Sequence, residues 1–386
     1  MSSRIGKNFK LGILGGGQLG RMFIQESINY DVHVHIMDSN DEAPAASCAN
    51  SFTLGDINSY EDVIEFGRNM DLLTVEIENV NVKALYELER QGVTVYPQPR
   101  VLEIIKDKGL QKQFYAENNI PTSSFQLLDA NADVDNLQEH LPFVQKLRTG
   151  GYDGRGVIIM KSEKGLEERF LEPSIIEDLV DYEKEISVIV SRNEKGDTAV
   201  FPTVECEFND VNLVEFLFSP AEVSTEVEKE ANKLAVRVIN TLEMVGVLAV
   251  ELFITKDGQL LVNEVAPRPH NSGHHTIECN DTSQFEQHLR SIMGWELGST
   301  KMTHFGAMIN LLGAENHQGP AHYLGLEDVL SNSGTQVHLY GKSETKPHRK
   351  MGHVTVFGDS LNEVREKAAK IKSQIKVISA VGNNES

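Results

Sequence analysis

Apolar and polar positions follow two different patterns along this chain. Over the first hundred residues the apolar runs "FKLGIL", "DVHVHIMD", "MDLLTVEI" and "GVTVYP" have the length of strands. Between them lie stretches with the helical repeat, near Arg21–Tyr30, Tyr60–Arg68 and Val82–Gln91. Strand–helix alternation predicts a parallel sheet with helices on its faces. "YPQPR", Tyr96–Arg100, closes that region with two prolines. A helical pattern over Val101–Asn118 then leads into "PFVQKLR", "GVIIMK", "SIIEDLV", "KEISVIVSR", "TAVFPTVECEF", "NLVEFLFS", "VGVLAVELFIT" and "GQLLVNEVAPR". One long helical pattern, Glu226–Met244, sits among them. Strands in series predict antiparallel sheet, so an α/β part is followed by an α+β part. From about Lys301 a smaller part is expected, with strands "FGAMINLLG", "TQVHLYG" and "GHVTVFG" and a last helix over Leu361–Ile375. The chain shows no internal repeat and no low-complexity linker.

Length and charge narrow the picture. At roughly 100–200 residues per domain, 386 residues make two or three domains. Lys plus Arg number 36 against 57 for Asp plus Glu, a net charge of −21. Such a chain is a poor binder of nucleic acid through general charge attraction, and an anionic ligand needs a local basic pocket. Cys48, Cys206 and Cys279 are far apart without C-x-x-C spacing, which argues against a disulfide framework or structural zinc and for a reducing cytoplasm. "MSSRIGKNFK" has no apolar leader, and no apolar run reaches the ~18 residues of a membrane span.

"LGILGGGQLGRM" carries Gly15-x-Gly17-x-x-Gly20 after an apolar run, and Asp38 ends the next run eighteen residues on. This is close to a dinucleotide-binding fingerprint. The physics asks only that a phosphate approach a helix N-terminus. An NAD site, another phosphate site and a plain tight turn all satisfy it.

"QKLRTGGYDGRGV" says more. Alternation puts Val144, Lys146 and Arg148 on one face of a strand that runs into Gly150, Gly151, Gly154 and Gly156, with Arg155 among them. Glycines let backbone approach a polyphosphate, and the upstream lysine supplies a point charge. Neither a Walker A loop nor the kinase signature set is present. In "GVLAVELFITKDGQLLVNEVAPR", Asp257-Gly258 predicts a two-residue hairpin turn that sets Glu251 opposite Glu264. Like charges facing each other in an apolar ladder are destabilising unless something positive lies between them. A hard cation shared with nucleotide phosphates fits, with Asn263 beside it.

These motifs, in this order, resemble the ATP-grasp enzymes. Within them the chain is most similar to the 5-(carboxyamino)imidazole ribonucleotide synthase family of purine biosynthesis. "GGGQLGRM", "VEIENV", "RTGGYDGRG", "EKEISVIV", "GVLAVELF", "NEVAPRPHNSGHHT" and "GKSETKPHRKMGH" carry the likeness over nearly the whole chain. It implies a Rossmann-like pre-ATP-grasp domain (1–103), an ATP-grasp domain (104–300) and a small C-terminal domain (301–386). It further implies a cytoplasmic homodimer that uses ATP, Mg²⁺ and bicarbonate to carboxylate the amine of 5-aminoimidazole ribonucleotide through carboxyphosphate. A related ligase acting on another acid, such as formate, is the nearest alternative. An NAD oxidoreductase leaves the glutamate pair and the second glycine loop without a purpose.

By the same resemblance, Lys108 (often Arg in the family) and Lys146 contact the ATP phosphates. Gly151, Tyr152, Asp153, Gly154, Arg155, Gly156 and Val157 form the flap over them. Glu177, Asp178, Leu179 and Val180 form the hinge that reads adenine. Glu185 holds the ribose, and Glu205 (His in some relatives) lies on the nucleotide side. Asn263 and Glu264 complete the nucleotide site, and Glu251 and Glu264 hold Mg²⁺. Tyr152, Arg268, His270, Asn271 and Ser272 surround bicarbonate, with His270 the candidate for moving a proton near neutral pH. Its neighbours His274 and His275 lack zinc spacing. Gly17, Gln18, Leu19 and Glu76 meet the ribonucleotide, and Lys342, Arg349 and Lys350 grip its phosphate. Val75 stands where the family has an aromatic residue, and His348 where it often has glycine.

Overall fold

A computed structural model of the chain describes residues 4–131, 137–151, 156–209 and 213–379. The first part is a five-stranded parallel sheet in the order β3-β2-β1-β4-β5. Its strands are β1 (Lys10–Leu14), β2 (His33–Asp38), β3 (Ser51–Leu54), β4 (Leu72–Val75) and β5 (Thr94–Val95). Helix α1 (Gln18–Ile28) follows β1, α2 (Tyr60–Gly67) follows β3 and α3 (Val82–Arg90) follows β4, as the alternation predicts. But β3 is a short, exposed edge strand that no apolar run marks, and β2 reaches it without a helix. Ser59 and Asn81 start α2 and α3 by accepting from Asp62 N–H and Ala84 N–H, which satisfies donors the helix cannot.

The helical stretch expected over Val101–Asn118 is two helices, α4 (Pro99–Lys106) and α5 (Lys108–Glu117). Asp107 is extended, with φ −111° and ψ 110°, and its carboxylate caps α5 by accepting from Gly109 N–H at 2.7 Å. The apolar repeat runs through the break unchanged, so periodicity alone does not reveal it. The cap turns α5 so that Lys108 and Lys112 point into the cleft described below.

Two sheets face each other across that cleft. A four-stranded sheet, in the order β6-β9-β7-β8, contains β6 (Phe125–Leu128), β7 (Phe143–Leu147), β8 (Val157–Met160) and β9 (Ser174–Asp178). The larger sheet begins with β10 (Tyr182–Arg192), β11 (Thr198–Val200), β12 (Val204–Phe208), β13 (Val214–Ser219), β14 (Gly246–Thr255) and β15 (Leu260–Ala266). The single run expected over "TAVFPTVECEF" breaks between β11 and β12 around Pro202, which has no N–H for a ladder. The helix Thr225–Thr241 packs Ala231, Leu234, Ala235 and Val238 against Ile186, Val188, Leu248 and Val250 on one face of this sheet.

The chain beyond residue 300 adds to this same sheet. β16 (Phe305–Leu312), β18 (Thr335–Leu339) and β20 (Lys350–Gly358) join it, while β17 (Gly319–Leu324), β19 (Glu344–Thr345) and β21 (Lys376–Ser379) form a separate three-stranded sheet in the order β19-β17-β21. The order β15-β14-β10-β12-β13-β16-β20-β18 is continuous, because β16 pairs antiparallel with β13. The C-terminal segment is thereby rigidly placed against the cleft.

Candidate active site

The hairpin β14–β15 brings Glu251 opposite Glu264, as expected, by a different route. Thr255 pairs with Gln259 around a three-residue turn, Lys256-Asp257-Gly258, with Gly258 at φ +80°. That turn alone would set the register one residue off. A β-bulge between Glu251 and Leu252 restores it by placing Asn263 as an extra residue on β15. Bulges re-aim side chains. Here Asn263 and Glu264 both reach lysines of the cleft, Asn263 Oδ1 accepting from Lys146 Nζ at 2.9 Å and Glu264 pairing with Lys108.

A buried charge network supports those lysines. Glu177 of β9 lies between Lys112 Nζ at 2.9 Å and Lys146 Nζ at 3.0 Å and accepts from Ser123 Oγ at 2.6 Å. Burial works to raise the Glu177 carboxyl, but the two lysines and Ser123 win and hold it at about 2. Lys112 is satisfied by Thr122 Oγ1 at 2.6 Å and Ser123 Oγ at 2.9 Å as well. Burial lowers it to about 8. Lys112 was missed in the sequence, although it follows Lys108 by one helical turn on the same face.

The two facing glutamates are unlike electrostatically. Glu264 is held at about 2, chiefly by the Lys108 charge. Glu251 is pushed well above the usual carboxylate range by burial, then by Glu264 and Glu185. Glu185, on the same side of β10, is raised to about 7 by burial and Glu264. The positive partner that the sequence argument demanded is therefore Lys108 for Glu264, while at Glu251 burial, Glu264 and Glu185 outweigh the more distant charges of Lys108 and Lys350. Among the described residues no three His, Cys, Asp or Glu form a ready cage for a metal. A pair of carboxylates beside lysines that can neutralise phosphate instead fits Mg²⁺, which takes one or two carboxylates and completes its shell with phosphate and water.

Beyond Glu251 the chain turns into "APRPHNSGHH". His270 Nε2 lies 3.6 Å from Glu251 Oε1. Its Nδ1 accepts from Ser272 N–H at 3.4 Å and faces Ser272 Oγ at 2.9 Å, which places the ring proton on Nε2. Burial, with Arg268 and Lys350, lowers His270 to about 3. Its ring is thus neutral at pH 7, with Nε2–H as a donor. Gln284 clamps its backbone, accepting from His270 N–H at 2.9 Å and donating to His270 O at 2.8 Å. No sequence signal marks Gln284.

The other expected anion donors have protein partners. Arg268 makes a two-point contact with Glu78, at 2.7 and 3.3 Å. Asn271 and Asn310 exchange reciprocal amide hydrogen bonds at 2.9 Å, which turns Asn271 into the core. Ser272 Oγ also meets Ser187 Oγ at 2.8 Å. His274 and His275 are buried.

The first glycine loop holds a carboxylate. Glu76 Oε1 accepts from Leu19 N–H at 3.1 Å, at the start of α1. A Cβ on Gly17 would lie 2.3 Å from Glu76 Oε1, so glycine is needed for this approach. Gly16 N–H donates to Asp38 at 2.6 Å, which uses the acid that a dinucleotide ribose would require. An anion-binding helix terminus is present, but the protein fills it itself, and an NAD pyrophosphate there would meet Glu76. Burial raises Glu76 to about 7 against the pull of Arg268, Leu19 N–H and Lys342.

Lys342 Nζ donates to Lys350 O at 2.7 Å, and its charge reaches Glu76, while that of Lys350 reaches Glu251 and His270. Arg349 donates to Glu344 O at 2.6 Å within its own turn. His348 adopts the left-handed conformation, φ +63°, that glycine takes most readily. Val75 is buried among Leu14, Leu73 and Val95.

Glu205 is not brought to this site. It pairs across the ladder with Ile186, whose side chain packs on the helix side of the sheet. There it bonds Lys184 Nζ at 2.9 Å and lies 3.5 Å from Arg365. Asp178 ends β9, and Leu179 and Val180 lie in the short link from it to β10. Gly151, Gly156 and Val157 flank the second loop, whose Tyr152, Asp153, Gly154 and Arg155 lie outside the described residues.

A cleft between two sheets, with lysines on one side and facing carboxylates on the other, defines an ATP-grasp enzyme. The comparisons agree along the chain. Residues 9–106 match the ribonucleotide synthetase preATP-grasp domain, 113–285 the ATP-grasp domain, and 306–367 the phosphoribosylaminoimidazole carboxylase C-terminal domain. The N5-carboxyaminoimidazole ribonucleotide synthetase of Thermotoga maritima superposes with TM-score 0.89 at 40% identity, over 96% of this chain and 99% of that one. The N5-carboxyaminoimidazole synthase of Aspergillus clavatus, in complex with ADP and 5-aminoimidazole ribonucleotide, gives 0.86 at 30%, over 95% and 98%. The chloroplastic phosphoribosylaminoimidazole carboxylase of Vigna aconitifolia is 38% identical over 93% of this chain, which spans 66% of that longer protein. The chain belongs to the N5-carboxyaminoimidazole ribonucleotide synthase family of ATP-grasp ligases. No helix among the described residues is long and apolar enough to cross a membrane.

Proposed function

We propose that the protein joins bicarbonate to the exocyclic amine of 5-aminoimidazole ribonucleotide at the expense of ATP, which leaves as ADP and phosphate. The observation that supports this most is one unbroken line of groups. It runs from Lys146 and Lys108, through Glu264, Glu251 and His270, to Arg268 and Glu76. Phosphate chemistry, a small-anion pocket and a ribonucleotide site then lie in the order the reaction needs.

In this reading Lys108 and Lys146 bind the ATP phosphates, with Gly151 to Val157 over them. Asp178 to Val180 and the Glu177 backbone read adenine, and Glu185 holds the ribose hydroxyls. Glu251 and Glu264, with Asn263 beside them, hold Mg²⁺, which supplies charge neutralisation on the transferring phosphoryl group. A bicarbonate oxygen attacks the γ-phosphorus, the bond to ADP breaks, and carboxyphosphate forms. The amine then attacks its carbonyl carbon, phosphate leaves, and the amine gives up one proton. Arg268 and the Nε2–H of His270 are aimed at the charge that develops on that small anion. Tyr152 and Ser272 complete its surroundings, and Asn271 acts by fixing the segment through Asn310. Glu76 receives the ribonucleotide beside Gly17, Gln18 and Leu19, and Lys342, Lys350 and Arg349 receive its phosphate. We place the protein in the cytoplasm as a homodimer, with functional divisions at 1–103, 104–300 and 301–386.

The test is phosphate and ADP release with Mg-ATP, bicarbonate and 5-aminoimidazole ribonucleotide, each omitted in turn. Release that needs the ribonucleotide, with labelled bicarbonate entering an acid-labile product, supports the reading. Stimulation by formate in place of bicarbonate overturns the substrate assignment.

A further inference from the structure

Glu78 is a half-buried carboxylate in the cleft, its side chain 30% exposed, that no role above uses. It follows Glu76 by two residues in the loop after β4, so it belongs to the ribonucleotide part of the chain. Its partner, Arg268, follows β15 and belongs to the nucleotide part. The contact is two-pointed, Arg268 Nε donating to Glu78 Oε2 at 2.7 Å and Nη2 to Oε1 at 3.3 Å. Nη1 donates to Pro269 O at 3.3 Å. Burial works to raise the Glu78 carboxyl, and Arg268 more than offsets it, so Glu78 remains charged.

A guanidinium held at one point can swing about its stem, whereas one held by a side-on fork has its plane fixed. A planar anion such as bicarbonate is recognised only if that plane is right. We propose that Glu78 is a positioning residue for the carboxylation, setting the plane of Arg268 across the junction between the ribonucleotide and nucleotide parts. The inference rests on the reading of Arg268 as a bicarbonate ligand. Lysine at 268 could not be held this way, because an ammonium has no plane to fix.

The experiment is a double-mutant cycle of Glu78→Gln and Arg268→Lys in the intact chain. It is read as KM for bicarbonate, KM for ATP, and labelled bicarbonate incorporated per ATP hydrolysed. Glu78→Gln is expected to raise KM for bicarbonate about tenfold or more, to change KM for ATP less than about twofold, and to lower incorporation per ATP. In the Arg268→Lys background the same change is expected to have a much smaller effect on KM for bicarbonate. Glu78→Asp, which keeps the charge but shortens the reach, should fall between and provides a folded variant should the glutamine form be unstable. An equal effect of Glu78→Gln in both backgrounds, or none in either, overturns the proposal. A wild-type protein with no bicarbonate dependence overturns the functional reading instead, which keeps the two failures apart.

Discussion

Glu251 stands directly across the β14–β15 ladder from Glu264, yet the two carboxyls are driven in opposite directions. Lys108 neutralises Glu264, while at Glu251 burial and two like-charged neighbours outweigh Lys108 and Lys350. A site arranged this way is poised to gain from a cation. Glu251→Gln should leave the nucleotide-free protein as stable as the wild type or more so, because it removes an acid whose charged form its surroundings disfavour. It should also lower turnover at least a hundredfold, the several kcal/mol that a misplaced phosphoryl-clamping ion costs. Thermal unfolding without nucleotide, set beside kcat measured over a range of Mg²⁺ concentrations, checks both halves. Unchanged Mg²⁺ dependence would sink the assignment of Glu251 as a ligand.

Glu76 predicts a conflict between stability and binding. Its carboxyl is raised to about 7 in the fold, from an ordinary 4.5, by burial. The folded form therefore holds its proton over a range where the unfolded chain has lost it. Its contribution is fully present below pH ~4.5 and is lost as pH rises through ~7. At pH 8 the charged Glu76 should cost on the order of 2 kcal/mol relative to a neutral isostere. Glu76→Gln should then raise the unfolding midpoint at pH 8, have little effect at pH 5, and abolish ribonucleotide binding. Equal shifts at both pH values would show that the burial argument is wrong.

Glu205 lies on the face of the sheet away from Glu185, Glu251 and Glu264, bonded to Lys184 and close to Arg365. Glu205→Gln should change KM for ATP by less than about twofold and cost about 1–2 kcal/mol of stability, the scale of a charged hydrogen bond. Chemical denaturation and ATP saturation curves separate these effects. A rise in KM of tenfold with unchanged stability would return Glu205 to the nucleotide site.

His348 adopts φ +63°, where the missing Cβ of glycine is an advantage. The left-handed conformation costs a non-glycine residue about 1–2 kcal/mol, partly offset because glycine loses more freedom on folding, about 0.5–1 kcal/mol. His348→Gly should therefore raise stability slightly and leave turnover intact. His348→Val should lower stability by more than about 1 kcal/mol, since a β-branched residue tolerates this region least. Unfolding midpoints of the two variants should move in opposite directions.

Most of what is local in this protein could be read from its sequence. The parallel α/β beginning, the antiparallel middle and the first glycine loop follow from period and turn residues, and the facing of Glu251 and Glu264 follows from alternation and charge although the turn itself differs. These features depend on residues within one strand, turn or helix, where sterics and burial act over a few positions. Non-local closure decided the rest. Asn263 and Glu264 reach the same cleft because a bulge corrects a turn one residue longer than expected. Glu205 leaves the site because the side-chain period of a strand is two, so pairing with Ile186 rather than a neighbour selects the other face. Glu76 fills the α1 terminus, Lys112 is sealed behind Glu177, and Glu78 holds Arg268. Each of these pairs joins segments from different parts of the sequence, and their partners are chosen by how the sheets pack. For the same reason β16, β20 and β18 prolong the central sheet: the ladder groups of β13 needed a partner, and β16 supplies it.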